Sequence, residues 1–296
     1  MTLLDELAAD PDVREVVVNR GSEVWAERDG VLARRGDVHP DEARAFVERA
    51  LLPLGRRLDV ASPIVDARLA DGSRLCAVIP PIGVDGLAVA IRRFAARPVA
   101  LEEVAPPAVA AELAAAVRTR RNLLVSGAAA AGKTTLLNTL CRAIDPRERI
   151  VTIEDVAELR LDHPHVVRFE TRPPAPDGSV AVPVRRLVGA ALRMRPDRLV
   201  IGEVRGDEVL DMLAAMNTGH DGSMSSLHAN SAADALRRVE SLVLQHAANW
   251  TREVVREHVR AVIDLIVHVE RLPDGRRRVS QVAEIGDGGP RTWYEA

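Results

Sequence analysis

Residues 127–134 carry the clearest chemical signature in the chain, because they read Gly-Ala-Ala-Ala-Ala-Gly-Lys-Thr. This segment follows an apolar run at 122–126 and precedes a predicted helix over 133–143, which is the context that a phosphate-binding loop requires. In such a loop the backbone N–H groups surround the phosphates, and the first turn of the helix adds partial positive charge. The residues predicted to bind the nucleotide are Gly127, Ala128, Ala129, Ala130, Ala131, Gly132, Lys133, Thr134 and Thr135.

Within this loop, Lys133 is expected to reach the β- and γ-phosphates, and the Thr134 hydroxyl to complete the shell of a bound Mg²⁺. Thr135 is expected near the α-phosphate. The alternative, a chance Gly-Lys turn at the start of a helix, does not account for the strand and the helix on either side. Four alanines stand where many such loops carry another glycine, and alanine resists a positive φ. We therefore expect a stiffer loop that still binds phosphate.

Two predicted strands end in acidic residues. The strand over 198–203 ends in Gly202-Glu203, and an acid delivered beside a phosphate loop holds the Mg²⁺ shell or orients the attacking water. The strand over 149–154 ends in Glu154-Asp155, with Glu158 close behind. Because ligands bind at the carboxyl ends of parallel strands, these acids are predicted to support metal and water. The alternatives are an ordinary strand-end glutamate at 203, and a helix N-cap at Asp155 with surface glutamates.

Two histidines, His220 and His228, stand on either side of a predicted strand over 223–227. A metal centre is poorly supported, since no cysteine or carboxylate lies at ligand spacing. A sensor of the γ-phosphate is the sharper hypothesis, in which each imidazole forms a hydrogen bond to the phosphate and responds to its loss. The alternative is a pair of polar loop histidines.

The composition limits the classes of function. The chain has 296 residues, of which 47% are hydrophobic and 2% aromatic, and its formal net charge is -3. Few aromatic residues and a balanced charge count against direct DNA binding. Cys76 and Cys141 lie far apart without metal-ligand spacing, which fits a reducing cytosol. We find no secretory signal and no apolar run of about 18 residues that would span a membrane.

The order of predicted elements indicates an α/β protein with two domains. Residues 1–94 alternate short strands with one helix over 40–54, which predicts a small N-terminal α+β domain. The stretch 95–107 is rich in proline and is predicted to be a linker. Residues 108–296 alternate helices and apolar strands, which predicts a mostly parallel sheet covered on both faces.

Four blocks in order resemble the type II/type IV secretion ATPase superfamily: 127–134, 152–159, 201–206 and 217–230. They correspond to its Walker A motif, its Asp box, its glutamate-bearing Walker B motif and its His box. The phrases Thr-Ile-Glu-Asp-Val-Ala-Glu-Leu and Asn-Thr-Gly-His-Asp-Gly-Ser are similar to the Tad/Flp pilus-assembly branch. The segments 63–74 and 91–94 resemble the N-terminal domain of that branch. The likeness covers most of residues 13–285.

The resemblance implies a RecA-like P-loop NTPase motor domain and a smaller α+β N-terminal domain, assembled as a homohexamer. ATP and Mg²⁺ would be the cofactors. Arg74 and Arg92 would reach the phosphates from the N-terminal domain, and Arg168 and Arg172 would lie in a loop near a subunit interface; the alternative for each is a surface salt bridge. Because the chain starts almost directly at the N-terminal domain, contacts that relatives make through a leading extension are expected to be absent.

These patterns together predict a cytoplasmic motor that hydrolyses ATP for pilus assembly or protein secretion, held at the inner face of the membrane by platform proteins. Glu203 is predicted to polarise water. The other predicted catalytic residues are Lys133, Glu154, Glu158, His220 and His228, and the predicted metal ligands are Thr134, Glu203 and Asp155. Two alternatives remain open: a conjugation-type DNA-transfer motor, and a nucleotide-gated scaffold with little hydrolysis.

Overall fold

The computed structural model describes five stretches of the chain: residues 2–28, 30–93, 99–172, 180–286 and 288–296. They divide into two compact units, Met1–Arg97 and Pro98–Ala296. The division falls inside the predicted linker, of which residues 95–98 lie outside the described residues.

The rest of the predicted linker, residues 99–107, belongs to the second unit. Leu101 and Ala105 are buried in one of its apolar clusters, and Leu101–Glu103 forms a single 3₁₀ turn. The Thr139 hydroxyl donates a hydrogen bond of 3.0 Å to the carbonyl oxygen of Val99. Pro106 and Pro107 begin a helix, because proline is tolerated in the first helical turn, where no N–H partner is needed. The proline pair therefore marks a helix start and not the end of a free linker.

The first unit is a six-stranded sheet with two helices on one face. Its elements are α1 (Leu3–Ala9), β1 (Val13–Asn19), β2 (Glu23–Arg28), β3 (Val31–Asp37), α2 (Pro40–Leu51), β4 (Ile64–Arg68), β5 (Arg74–Val78) and β6 (Ala88–Arg92). The strand order is β3-β2-β1-β6-β5-β4, and every neighbouring pair is antiparallel. Alternate strand residues such as Val16, Leu75 and Ile91 are buried in one cluster with Leu4 and Phe46 of the helices. The α+β character is as predicted, although α1 and β3 were not.

The second unit is built on an eight-stranded sheet. Its elements are α3 (Pro107–Arg118), β7 (Leu123–Gly127), α4 (Lys133–Cys141), β8 (Ile150–Glu154), β9 (Val166–Glu170), α5 (Val184–Ala191), β10 (Arg198–Ile201), α6 (Glu208–Asn217), β11 (Met224–His228), α7 (Ala232–His246), α8 (Arg252–Val262), β12 (Leu265–Arg271), β13 (Arg277–Gly286) and β14 (Gly289–Glu295). The strand order is β14-β13-β12-β7-β11-β10-β8-β9.

Six of these strands, from β12 to β9 in the sheet order, are parallel, while β13 and β14 add an antiparallel edge. Residues of α3 and α4, such as Leu113 and Leu137, form one apolar cluster with the sheet. Residues of α5 to α8, such as Val209 and Val255, form the other. The strand β7 is buried along its whole length, which explains the consecutive apolar residues Leu123, Leu124 and Val125. The prediction of a parallel sheet covered on both faces is confirmed.

Throughout the stretches that the structure describes, we find no helix with both the length and the apolar content needed to cross a membrane.

Candidate active site

The parallel strands of the second unit bring the predicted site residues to one edge of the sheet, which we call the carboxyl edge. Gly127 at the end of β7 pairs with His228 at the end of β11. β10 and β8 are paired as far as Ile201 and Ile153, so Glu203 and Glu154 follow at the same edge. The phosphate loop, both strand-end acids and one of the two histidines therefore lie together, as expected for a ligand site in a parallel sheet.

The phosphate loop itself is closely fitted to its neighbours. A Cβ atom at Gly127 would lie 2.4 Å from the carbonyl oxygen of Val269 in β12, so only glycine fits there. Of the four alanines, only Ala130 has a positive φ, at 58°, a conformation that costs an L-residue about 1 kcal/mol. Ala131 is buried, and its methyl group joins the apolar cluster beneath the loop. Ala131 therefore packs the underside of the loop, while Ala128, Ala129 and Ala130 are exposed and the strain falls on Ala130.

A chain of contacts leads from the phosphate-loop lysine to the predicted catalytic acid. The Lys133 ammonium donates hydrogen bonds to the carbonyl oxygens of Gly127 (3.2 Å) and Ala128 (3.1 Å). Lys133 Nζ also lies 3.2 Å from Nδ1 of His228. The Nε2 atom of His228 lies 2.7 Å from Oε1 of Glu203, without the alignment of a hydrogen bond. Lys133 of α4, His228 of β11 and Glu203, which follows β10, thus form one continuous chain of contacts.

The electrostatics of this series favour a neutral imidazole. Burial lowers the pKa of His228, and the charges of Lys133 and Arg205 lower it further, against the opposing effect of Glu203. Lys133 Nζ lies 3.2 Å from Nδ1 and 3.5 Å from Nε2 of His228, and an ammonium group can only donate. With the nearer nitrogen, Nδ1, as the acceptor, a neutral ring carries its proton on Nε2, the atom that lies beside Glu203.

Arg205 is part of this site although the sequence did not single it out. Its Nη2 donates a hydrogen bond of 2.7 Å to Oε2 of Glu203. The other carboxylate oxygen, Oε1, is buried and has no aligned hydrogen-bond donor within the described part of the chain. The signal available in the sequence was its place in Gly-Glu-Val-Arg-Gly, two residues after Glu203. Arg205 fixes one oxygen of the acid and leaves the other facing His228.

Glu154 is buried and holds residues 155–159, which we call the acidic loop, in place. Its Oε1 accepts hydrogen bonds of 2.9 Å from the backbone N–H groups of Glu158 and Leu159. Burial raises the pKa of Glu154 to about 7, although these hydrogen bonds oppose the shift. Its contacts are those of a residue that positions the loop.

The acidic loop brings Glu158 close to the predicted metal ligand Thr134. The Thr134 hydroxyl lies 3.4 Å from Oε2 of Glu158, whereas the side chain of Asp155 is exposed. No group of three or more histidine, cysteine or acidic residues that could hold a metal occurs in the described residues. A Mg²⁺ ion that is bound with a nucleotide keeps several waters and takes most of its remaining ligands from phosphates. Thr134, Glu158 and Glu203 carry the oxygen atoms that would hold such an ion, directly or through water.

The structure contradicts the prediction that both histidines sense the γ-phosphate. His220 precedes β11, and its Nδ1 atom lies 3.3 Å from the carbonyl oxygen of Ala215 at the end of α6. His228 is the last residue of β11, and a strand rises about 3.3 Å per residue. His220 therefore lies at the opposite edge of the sheet and does not approach the phosphate loop of its own chain.

The two predicted interface arginines differ in their surroundings. Arg168 is not in a loop: it lies in β9, opposite Thr152 of β8. Its Nη2 donates a hydrogen bond of 3.2 Å to the carbonyl oxygen of Ala157 in the acidic loop. Arg172 follows β9, and its guanidinium donates a hydrogen bond of 3.1 Å to the carbonyl oxygen of Val180.

The predicted arginines of the first unit, Arg74 and Arg92, are directly opposite each other on β5 and β6. Arg68 of β4 stands opposite Arg74, so three arginines form a row across the exposed face of this sheet. Arg74 lies 3.4 Å from Asp66 at the sheet surface.

Taken residue by residue, the carboxyl edge has the parts of a P-loop nucleoside-triphosphatase: a loop of backbone donors, a lysine, a hydroxyl for a metal and an acid beside them. Residues 3–282 match the family described as Type II/IV secretion system protein. The chain belongs to this family, as the sequence predicted.

Two relatives and one solved structure illustrate the match. A putative conjugal transfer protein of Mycobacterium tuberculosis is 40% identical over 96% of this chain and 84% of its own length. The type IV secretion system protein PtlH of Bordetella pertussis is 36% identical over 92% of this chain and 90% of its own. The VirB11 ATPase from the Brucella suis type IV secretion system, solved with sulphate, is 28% identical with a TM-score of 0.54, over 95% of this chain and 92% of that one. The RecA-like fold class predicted for the motor unit is confirmed.

Proposed function

We propose that this chain hydrolyses ATP with Mg²⁺ and uses the energy to drive a secretion or pilus-assembly machine. The observation that carries the proposal is the series Lys133–His228–Glu203, which connects the phosphate loop to an acid able to orient water. The proposal also rests on family membership and on the wording shared with the Tad/Flp branch.

The chemistry follows from the positions of the side chains. The backbone N–H groups of 127–135 would hold the phosphates, and Lys133 would turn from the carbonyl oxygens of Gly127 and Ala128 to the β- and γ-phosphates. A bound Mg²⁺ would neutralise charge on the phosphates. Glu203, held by Arg205 on one oxygen, would orient the attacking water with the other. The ring of His228, whose Nε2 atom lies 2.7 Å from that oxygen, would limit the directions in which the carboxylate can turn.

Assembly and partners are part of the same proposal. A homohexameric ring would allow Arg168 or Arg172 to approach the nucleotide of a neighbouring subunit, where an arginine stabilises the transition state. Arg74 and Arg92 would contribute from the first unit. The motor would act in the cytoplasm at the inner face of the membrane, attached to inner-membrane platform proteins of a pilus or secretion system.

The test is ATP turnover by purified protein with Mg²⁺, measured across protein concentrations together with the mass in solution. We expect turnover that rises with assembly, and a loss of at least about a hundredfold in Glu203→Gln. Glu257→Gln, an exposed position on α8, is the matched control and should retain wild-type turnover. Lys133→Ala should lose nucleotide binding. Turnover that survives both Glu203→Gln and Lys133→Ala would show that the reaction occurs elsewhere.

A second candidate is a conjugation-type motor that acts on DNA, which the name of the Mycobacterium tuberculosis relative favours. It predicts DNA binding that weakens steeply as salt rises, because phosphate contacts release counterions. The net charge of -3 argues against it. Tight ATP binding without turnover in the assembled protein, even with membrane partners present, would instead indicate a nucleotide-gated scaffold.

A further inference from the structure

The hairpin formed by β12 and β13 borders the phosphate loop on the side away from the reactive acid. β12 pairs with β7 on one side, with His268 opposite Ser126, and β11 pairs with β7 on the other side. His228 and Glu203 lie on the β11 side. If the γ-phosphate of a bound nucleotide faces those two residues, the other phosphates and the nucleoside can extend along the hairpin.

One side chain of this hairpin lies directly on the loop. Arg277 is the first residue of β13, and a Cβ atom at Gly132 would lie 2.5 Å from its Cδ and 3.1 Å from its Nε. Gly132 has a φ of 103° and immediately precedes α4, so its neighbourhood is the part of the loop where backbone N–H groups meet the helix N-terminus. Arg277 as a whole residue is exposed. Its stem and its Nε atom thus lie against the phosphate loop at Gly132.

We propose that Arg277 binds the nucleotide through its α- or β-phosphate, the phosphates that are not transferred; this inference rests on the proposed function. A guanidinium matches phosphate oxygens with two parallel N–H donors and keeps its charge at every relevant pH. Because it stands on the side remote from Glu203, it meets a part of the nucleotide that is the same in ATP and ADP. It therefore contributes equally to the ground state and to the transition state, which lowers KM and leaves kcat unchanged.

The test compares Arg277→Met with the wild type by calorimetric titration of ADP. Methionine keeps an unbranched stem over Gly132 and removes the charge. We expect the Kd for ADP to rise about tenfold, which is about 1.4 kcal/mol. Arg277→Lys should recover part of the loss. The matched control is Arg276→Met, because Arg276 is 78% exposed and its guanidinium pairs with Asp274 within the turn. We expect that variant to bind ADP like the wild type.

Two further readouts separate binding from a structural role. The dependence of log Kd on log salt should become shallower in Arg277→Met by the loss of one phosphate contact, which mere packing against Gly132 would not change. In ATP turnover, KM should rise with the Kd while kcat stays within about twofold of the wild type. The melting temperature of the nucleotide-free variant should equal that of the wild type.

The outcomes are distinguishable. If the wild type binds ADP, Lys133→Ala abolishes that binding and Arg277→Met leaves it unchanged, the inference about Arg277 is wrong and the proposed function stands. A fall in kcat with unchanged KM in Arg277→Met would also overturn it, since that would place the guanidinium at the transferred phosphate. If the wild type binds no ADP, the proposed function fails and this inference fails with it.

Discussion

Replacing Glu154 with glutamine is expected to remove most of the pH dependence that this residue gives to the stability of the second unit. Glu154 is 4% exposed, and one of its oxygens accepts two backbone hydrogen bonds. The other oxygen, Oε2, is buried and has no hydrogen-bond partner among the residues that the structure describes. A glutamine oxygen can accept the same two hydrogen bonds. The variant therefore changes the ionisation and retains the anchor of the acidic loop.

The size and sign of the effect follow from the pKa. Burial raises the pKa of Glu154 from its ordinary 4.5 to about 7 in the folded protein, so folding favours the protonated form. The stabilisation associated with this proton is fully present below pH 4.5 and is lost as the pH rises through 7. The interval between the two pKa values corresponds to about 3 kcal/mol. The wild type should lose this amount relative to Glu154→Gln between pH 4.5 and pH 8.

The measurement is urea unfolding of both proteins from pH 4.5 to pH 8.5, in EDTA and without nucleotide. The quantity of interest is the difference in the free energy of unfolding between variant and wild type at each pH, because it cancels the titration of all other groups. Asp155→Asn is the control, since it removes an exposed acid from the adjacent position. A difference that stays constant across this range would refute the argument that burial controls the ionisation of Glu154.

Three other changes test the remaining parts of the unit. Arg198 is fully buried and donates hydrogen bonds of 2.7 and 2.9 Å to Glu148. Arg198→Met should therefore lower the free energy of unfolding by about 3 kcal/mol. A loss below about 1 kcal/mol, measured by urea titration, would contradict this. Gly132→Ala forces a methyl group to within 2.5 Å of Arg277 Cδ at a φ of 103°. Calorimetry should therefore show weaker ADP binding in this variant. An unchanged affinity for ADP would mean that the loop relaxes freely. His228→Ala should reduce ATP turnover at saturating ATP, whereas His220→Ala should retain it. Equal losses of turnover in the two variants would contradict the separation of the two edges.

The strands that could be predicted are those in which an apolar segment contrasts clearly with the residues on either side. The buried strands β7, β8 and β10 are short apolar runs, and each is followed by residues with obvious chemistry. The elements that were missed lack that contrast. β3 has no fully buried residue, and β9 is an edge strand with charged residues at alternate positions. Both exist because a neighbouring strand offers hydrogen-bonding partners, which a local pattern does not reveal.

The helix α8 was missed for a different reason. Its mean character is polar, but Val255, Val259 and Val262 are buried at a helical spacing, and the Thr251 side chain caps its N-terminus. The signal was present at i, i+4 and i+7 among many charges. A search for a narrow apolar stripe would have found it, whereas a search for an apolar run could not.

For the site, the sequence predicted which motifs matter but not which residues of each motif meet. Asn217 to Asn230 is one continuous motif, yet the five-residue strand within it separates His220 from His228. Likewise, the acidic loop folds back so that Glu158 reaches Thr134 while Asp155 faces solvent. Arg205 and Arg277 depend on side-chain direction and on strand pairing, and neither is encoded in residue spacing.

The state of Lys133 explains why these contacts belong together. Lys133 is only 8% exposed, and a buried charge is tolerated only with hydrogen-bond partners. Its acceptors here include two carbonyl oxygens of its own loop and the imidazole of His228. In the proposed reaction, phosphate binding would exchange one set of acceptors for another, at a small cost in desolvation. The exchange would release Nδ1 of His228, whose opposite nitrogen lies beside Glu203. A change at the phosphate loop would thus reach Glu203 through one imidazole ring, which would couple the presence of the γ-phosphate to the orientation of the attacking water.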